Sequence, residues 1–480
     1  MTSNDLLVLL PLIFLAGWAV LLLLIDLWIP SDRKGITAFL SALGLVACMG
    51  LVIWRVGPPV DAFNHFVRLD GISTFLSLLF LVSGLAAIAL AYDYLKRMGW
   101  ERSEYYSLLL ISISGMMLMS MANDLLIVFL ALELLSIPLY ILAAFIRHDQ
   151  ASEEAGLKYF LLGAFSSGFV LYGVALIFGG TGQSGFQAIL ASLMNGKANL
   201  PLVLSGAGLL LAGFGFKTAL VPFHGWSPDV YQGSPSSVTS FMSVGAKAAG
   251  FAAMVRVLLL ALPILSDKLM PILWALAALT MLAGNIVALN QKNIKRLLAY
   301  SSITQSGYIL MAFVSYGNPI VQNDALASLL FYLAVYGLGT FAAWSVVIAL
   351  EKAEGKNLDL EDYSGLAKKY PGMALVMLIS MLSFTGVPLT AGFWGKFYLF
   401  SAAVQGGQWG LALVGLLASI VSAYYYLHLV VFMYMRPGSP SMRRNWLVGM
   451  TAFITTAGTF VLGIAPWLLL QKVIELAASR

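Results

Sequence analysis

Four ionisable side chains sit where the surrounding sequence is almost wholly apolar. Glu133 lies in Ala131-Leu132-Glu133-Leu134-Leu135-Ser136 and Lys217 in Phe214-Gly215-Phe216-Lys217. Lys247 lies in Gly245-Ala246-Lys247-Ala248-Ala249-Gly250 and Lys396 in Trp394-Gly395-Lys396-Phe397. One acid and three amines are the parts of a proton path. Desolvation opposes the charge of a buried lysine and a nearby carboxylate supports it, so Glu133 moving toward or away from Lys217 would load or release a proton. Lys247 and Lys396 would extend that line. The competing reading is structural: an ion pair that fixes helix register, with lysines near helix ends snorkelling outward. Each such group costs about 2.5–3.5 kcal/mol on membrane-insertion scales. Four of them, two beside helix-breaking segments, favour chemistry over packing. Lys158 and His224 stand one step back. Lys158 follows Glu154 by four residues, the spacing of a surface ion pair on a helix, and either feeds the path or only pairs. His224 reads as a relay or gate. Arg256 reads as structural, Asp26 and Asp124 as span-end groups, and His428 as an interior histidine.

These groups need a membrane around them. Of 480 residues, 60% are hydrophobic and only 10% charged, with a mean hydropathy of +0.89. A soluble domain carries about 25% charged residues. Apolar windows fall at about 6–28, 36–54, 72–93, 105–122, 125–146, 157–179, 200–221, 237–262, 270–290, 297–315, 325–350, 372–404, 409–435 and 447–470. Each is close to the roughly 20 residues that cross a bilayer. The first, Leu6 to Trp28, is too long for a signal-peptide core and no basic segment precedes it, so it reads as a span. Short links between windows predict antiparallel neighbours in an all-α bundle.

Composition also excludes functions. Cys48 is the only cysteine, so neither a disulfide nor a cysteine-held cluster is expected. The histidines lack metal-site spacing. No phosphate-binding loop is present, and Gly206-Ala207-Gly208 with Gly213 lies inside an apolar helix, where it reads as helix packing. The net charge of +5 is a loop bias and not a nucleic-acid surface. Sixteen basic residues, among them Arg33, Lys96, Arg147, Lys295, Lys356 and Arg443, lie after odd-numbered windows. Six, including Arg480, lie after even-numbered windows or in the tails. That asymmetry predicts both termini on the outer side of the membrane.

Two spans are interrupted. The seventh runs to Lys217 and then meets Pro222 and His224-Gly225-Trp226-Ser227-Pro228-Asp229. The twelfth meets Gly386-Val387-Pro388-Leu389-Thr390 and resumes through Gly395. Proline removes a donor and clashes with the preceding turn. Irregular backbone survives at membrane depth only inside protein or beside a water-filled cavity. The breaks are five spans apart, and a tandem unit with an odd number of spans must invert, as in transporters. The expected architecture is therefore about 14 transmembrane helices with inverted five-helix repeats over spans 4–8 and 9–13. The corresponding segments are 1–104 (three helices), 105–262 (first repeat), 263–435 (second repeat) and 436–480 (last helix).

At these same residues the sequence resembles a known family, the antiporter-like membrane subunits of respiratory complex I. The motifs are Gly215-Phe216-Lys217 running into Val221-Pro222-Phe223-His224, then Trp226-Ser227-Pro228-Asp229-Val230-Tyr231-Gln232-Gly233-Ser234-Pro235. Asn293-Ile294-Lys295-Arg296-Leu297-Leu298-Ala299-Tyr300-Ser301-Ser302 and Gly392-Phe393-Trp394-Gly395-Lys396-Phe397 complete them. The resemblance spans essentially the whole chain. Pro228-Asp229-Val230-Tyr231-Gln232-Gly233 points to the N type within the family and away from the L and M types.

The resemblance implies that Glu133, Lys217, Lys247 and Lys396 are the proton-translocating residues of spans 5, 7, 8 and 12. It implies no cofactor in this chain. NAD, FMN, iron-sulfur clusters and quinone are expected in partner subunits, and L- and M-type antiporter-like subunits and small membrane subunits are expected as neighbours. One position departs from the pattern: Gln305 stands where many relatives carry histidine. An amide does not titrate, so Tyr300, nearby serines or water would have to bridge Lys247 to Lys396. The function implied is proton translocation coupled to quinone reduction in partner subunits. The rivals are an Mrp-type cation/proton antiporter without redox coupling, and a purely structural arm component.

Overall fold

The computed structural model describes residues 3–30, 33–352 and 358–479. Lys356 and Arg480, two of the basic residues used for orientation, lie outside them. Among the described residues thirteen helices are long and apolar enough to cross a membrane. They are Asp5–Trp28, Gly35–Trp54, Gly71–Arg97, Ser103–Met121, Leu125–Ala143, Gln150–Thr181, Leu200–Thr218, Ser236–Ala261, Pro263–Ala288, Ile294–Tyr316, Gln322–Leu350, Trp409–Met435 and Trp446–Ile464. A further span, the twelfth, is made of two shorter helices, Pro371–Thr385 and Ala391–Gln405. Counted with it, the helices match the apolar windows one for one. The chain is an all-α polytopic membrane protein.

Helix starts follow local chemistry. Asp124 accepts from Leu126 N at 2.7 Å and opens span 5. Asn293 accepts from the amides of Lys295 and Arg296 and opens span 10. Such caps satisfy otherwise orphaned donors and are each worth about 1 kcal/mol. The spans are not equal in position. Span 10 is enclosed along its length, and spans 8 and 11 nearly so, whereas spans 1 and 2 show most of their surface outward. The enclosed trio can therefore carry polar groups that outer helices could not.

Both breaks are real. In span 7 the helix stops at Thr218, Ala219 turns left-handed at φ 56°, and helix resumes at Trp226–Gly233 after a cis Val221-Pro222 bond. The Trp226 indole donates to Phe216 O at 2.8 Å and so satisfies a carbonyl of the ended helix. In span 12 Gly386, at φ 90°, ends the first half, and Ser383 Oγ accepts from Gly392 N at the start of the second. The Gly206 region packs as expected, since a Cβ there would come within 2.7 Å of Gly173 O on span 6.

Several features lie outside the sequence expectation. Span 14 does not run to residue 470. It ends at Ile464, just before Pro466, and a separate helix, Trp467–Ala478, packs back on spans 3 and 11. A short hairpin, Val60–Ala62 with Val67–Leu69, fills the link after span 2. A nine-residue helix, Phe186–Met194, follows span 6. Span 8 contains π-helical turns at Met242–Ala246 and Val255–Ala261. Such turns concentrate at functional sites, and the first of them immediately precedes Lys247.

Candidate functional site

The three lysines are enclosed: Lys217 is 4% exposed, Lys247 2% and Lys396 4%. None is paired directly with an acid. Lys217 Nζ donates to Ser136 Oγ at 2.8 Å and to Tyr159 OH at 3.1 Å. The rings of Tyr159 and Tyr140 lie 5.3 and 5.9 Å from it. Tyr159 is itself stacked on Trp226 at 4.6 Å, so the second half of span 7 holds the wall of the box. Aromatic faces support a cation without fixing its proton.

Glu133 sits one helical turn before Ser136 on span 5. It is half-buried, and its Oε1 is buried with no hydrogen-bond partner. Among the described residues Glu133 and Lys217 form no salt bridge; the lysine binds Ser136, one turn along span 5 from the acid. The acid also lies nearer the outside of this chain than the lysine does.

Lys247 is joined through span 10 to the backbone beside Lys217, although the Lys217 ammonium itself points to spans 5 and 6. Ser306 Oγ donates to Thr218 O at 2.7 Å and accepts from Lys247 Nζ at 2.8 Å. Lys247 also donates to Ser302 O at 2.5 Å. Gly250 makes the approach possible, because a Cβ there would meet Thr218 Cγ2 at 2.7 Å.

From Lys247 a hydroxyl cluster leads toward Lys396. Tyr336 OH donates to Ser302 Oγ at 2.9 Å. One turn earlier on span 11, Tyr332 OH donates to Gln305 Oε1. The Gln305 amide donates to Tyr426 OH at 3.3 Å and reaches Phe384 O at 3.5 Å. The next carbonyl, Thr385 O, accepts from Lys396 Nζ at 3.0 Å, as does Ser419 Oγ at 3.0 Å. The Tyr308 ring lies 4.5 Å from Lys396. Gln305 is therefore the centre of the bridge. Tyr300 takes no part in it and packs instead against the Arg296 guanidinium.

Lys158 joins a partly exposed cluster at the end of span 7. It pairs with Glu154 at 2.7 Å and Asp229 at 2.8 Å, and Arg296 binds the other Asp229 oxygen at 2.7 Å. His224 lies in the break, half-buried, with a buried Nδ1 that has no partner, and makes no hydrogen bond to the lysines. Arg256 is structural as expected: it holds both Asp70 oxygens, at 2.6 and 2.7 Å, and donates to Ser120 O. His428 is half-buried, between the ring of exposed Tyr424 and that of buried Phe432.

Three buried charges lie outside the sequence expectation: Asp70, the partner of Arg256, and the pair Lys295 and Glu351. Lys295 falls among the loop residues in sequence, yet it is 2% exposed. Its Nζ lies 4.0 Å from Glu351, itself 3% exposed. The capping residue Asn293 was the available signal, since it places Lys295 within the first turn of span 10.

The transmembrane family described as NADH:quinone oxidoreductase/Mrp antiporter matches residues 122–422. NADH-quinone oxidoreductase subunit N of Trichlorobacter lovleyi is 44% identical over 97% of this chain and 95% of its own length. A chain of respiratory complex I from Thermus thermophilus superposes with a TM-score of 0.83 at 38% identity, covering 96% of this chain and 98% of that one. A chain of the Mrp complex from Dietzia superposes with a TM-score of 0.88 at 22% identity, over 100% of this chain and 97% of that one, which shows a shared fold alone. The chain belongs to the subunit N family of NADH-quinone oxidoreductase.

Proposed function

We propose that Glu133, Lys217, Lys247 and Lys396 carry protons through this chain, with Lys158 and His224 as outlying members. The subunit N family gives the setting: a proton-translocating membrane-arm subunit of complex I, with the cofactors in other subunits. The observation that carries the residue-level reading is that the three buried lysines lie along one row of buried polar groups. Lys247 binds Ser306, whose hydroxyl donates to the carbonyl of Thr218, the residue after Lys217, and the Tyr332–Gln305–Tyr426 cluster reaches the carbonyl beside the one that holds Lys396. An architectural ion pair needs no such row.

In this reading quinone reduction elsewhere in the complex shifts Glu133 relative to Lys217. When the carboxylate leaves, the ammonium loses its support and gives up its proton toward Lys247. The path continues through the hydroxyl cluster to Lys396. NAD, FMN, iron-sulfur clusters and quinone belong to partner subunits, and L- and M-type antiporter-like subunits and small membrane subunits flank this one. The basic-loop face is the cytoplasmic one, both termini are periplasmic, the membrane is the bacterial inner membrane, and spans 4–8 and 9–13 are inverted repeats.

The test is Glu133→Gln in the assembled complex, in inverted membrane vesicles. Lumen acidification and quinone reductase activity are expected to fall together, by about tenfold or more. Wild-type levels of both would make Glu133 a structural group and remove the first step. The Mrp-type alternative predicts sodium-dependent proton movement without electron transfer, and the full-length likeness to subunit N stands against it.

A further inference from the structure

A cavity of about 730 Å³ opens on the face that carries the basic loops and is lined by spans 3, 6, 7 and 10. His148, Glu154 and Lys158 stand at its exposed mouth. Ser234, Lys295 and Glu351 line its buried end. The last two occupy positions that helix electrostatics disfavour. Lys295 is a cation in a first helical turn, and Glu351 is an anion at the C-terminal cap of span 11. Lys295 is held by Ser234 O at 2.7 Å, with Glu351 Oε1 at 4.0 Å. Glu351 Oε1 accepts from Tyr94 OH at 3.4 Å, and Oε2 is buried with no hydrogen-bond partner. A buried carboxylate beside a polar cavity, one oxygen unused, is set to take a proton.

Behind it runs a row of hydroxyls. Ser236, Ser240, Ser243 and Lys247 follow one another along span 8, through the π-helical turn at Met242–Ala246, and are all buried. At α-helical rise the row would be about 16 Å long, and the π turn shortens it. The Ser234 and Ser236 hydroxyls have no protein partner. Those of Ser240 and Ser243 donate backward, to Ser237 O and Ser240 O at 2.8 Å each, which leaves their lone pairs open. Hydroxyls about 6 Å apart are within the span of one bridging water.

We infer that Glu351 and Lys295 form a proton-loading gate, in which Glu351 takes protons from the cavity and passes them along the serine row of span 8 to Lys247. The inference rests on the proposed role of Lys247. A cavity hydronium gives its proton to the Glu351 carboxylate, which then no longer attracts Lys295. The acid releases that proton to water beside Ser236. Ser240 and Ser243 each give up a proton as they accept one, and the Lys247 amine becomes an ammonium. Glu351 returns to the carboxylate and to Lys295, which keeps its own proton throughout. One proton leaves the cavity and one charge appears on Lys247.

Other charged and titratable groups surround the gate. Tyr94 faces Glu351 from span 3, and Arg97 of the same helix binds Ile348 O. Tyr363 faces it from the segment after span 11, where burial and then the Glu351 charge hold its phenol well above the ordinary value. Arg147, His148 and Asp149 approach from the link before span 6, and Glu154, Lys158 and Asp229 stand at the mouth.

The test uses the intact complex in inverted membrane vesicles, where the medium bathes this face. Glu351→Gln keeps the shape but takes no proton. Pumping is expected to fall about fivefold or more. What remains is expected to lose the wild-type pH profile, because Lys247 then loads only from Lys217. Glu351→Asp is expected to restore both rate and profile. In a second arm, Ser236→Cys is expected to react with a small cationic thiol reagent added to the medium, with loss of pumping; the native Cys48 is buried. Wild-type pumping with an unchanged pH profile in Glu351→Gln overturns the gate, and so does a Ser236→Cys that stays unmodified. Lys247→Ala separates the two levels. Normal pumping in that variant removes the lysine line itself, whereas its inactivity beside a normal Glu351→Gln removes only the gate.

Discussion

Lys217 allows a perturbation that separates charge from proton exchange. In Lys217→Ala two charge-assisted hydrogen bonds are lost, to Ser136 and Tyr159, at about 1.5–3 kcal/mol each. Removal of a cation from the bilayer interior returns about 2.5–3.5 kcal/mol. The difference is about 0–3 kcal/mol, small for a fourteen-span bundle held by neighbouring subunits, so the variant is expected to assemble. The hydroxyls left behind both donate and accept, and can pair with each other. Proton transfer is another matter, because a positioned acid–base group contributes about 10²–10⁴ in rate. Pumping should therefore drop below detection while the complex remains. Lys217→Arg sharpens the test. Arginine keeps the charge and the donors but does not release a proton. A structural cation site accepts arginine; a proton-exchanging site does not. The assay is dye-reported acidification of inverted vesicles, normalised to assembled complex on native gels. Lys217→Arg pumping within about twofold of wild type would refute the reasoning, since an ion-pair role would then suffice.

Two further outcomes follow from the geometry. Gln305→Leu disconnects Tyr332, Tyr426 and Phe384 O, so pumping is expected to fall several-fold with assembly intact and Gln305→His to retain it; unchanged pumping in the leucine variant would take this cluster out of the line. Asp70→Asn leaves the Arg256 guanidinium buried without its anion, at a cost of about 3–5 kcal/mol. Thermal dissociation of the complex should occur at a clearly lower temperature and be largely restored in an Asp70→Asn/Arg256→Met pair, in which asparagine still caps span 3, and a wild-type melting profile in Asp70→Asn would contradict that ion-pair account.

The spans were legible because a bilayer imposes one length and one polarity on each, and proline and glycine marked the two breaks. The translocation candidates were legible for the same reason: Lys217, Lys247 and Lys396 are conspicuous only because their neighbours are apolar. That reasoning fails at the edges of windows. Lys295 lies just outside the window starting at residue 297 and resembles any loop lysine, although its helix is enclosed end to end. Glu351 sits just beyond the other edge of span 11. Their partnership joins positions far apart in the chain, which no local pattern reports. The bridge through Gln305 shows the opposite error. The sequence offered Tyr300 on the same helix, but five residues turn a helix well past its starting face, and the partners came from spans 11 and 13. The end of span 14 was misplaced because Pro466 stands inside a continuous apolar run, where hydropathy alone sees no boundary.

The break in span 12 has a consequence for how this site can be altered. Where a helix stops, its last carbonyls have no amide to accept from. Thr385 O is one of these, and it is the group that holds Lys396. That acceptor belongs to no residue type, and every amino acid placed at position 385 would supply it. A drift in sequence can therefore change the side chains around Lys396 without deleting its backbone acceptor. Only a change that rejoins the two half-helices, by refilling the turn from Gly386 to Thr390, would withdraw it. Selection on this part of the site acts on the interruption itself.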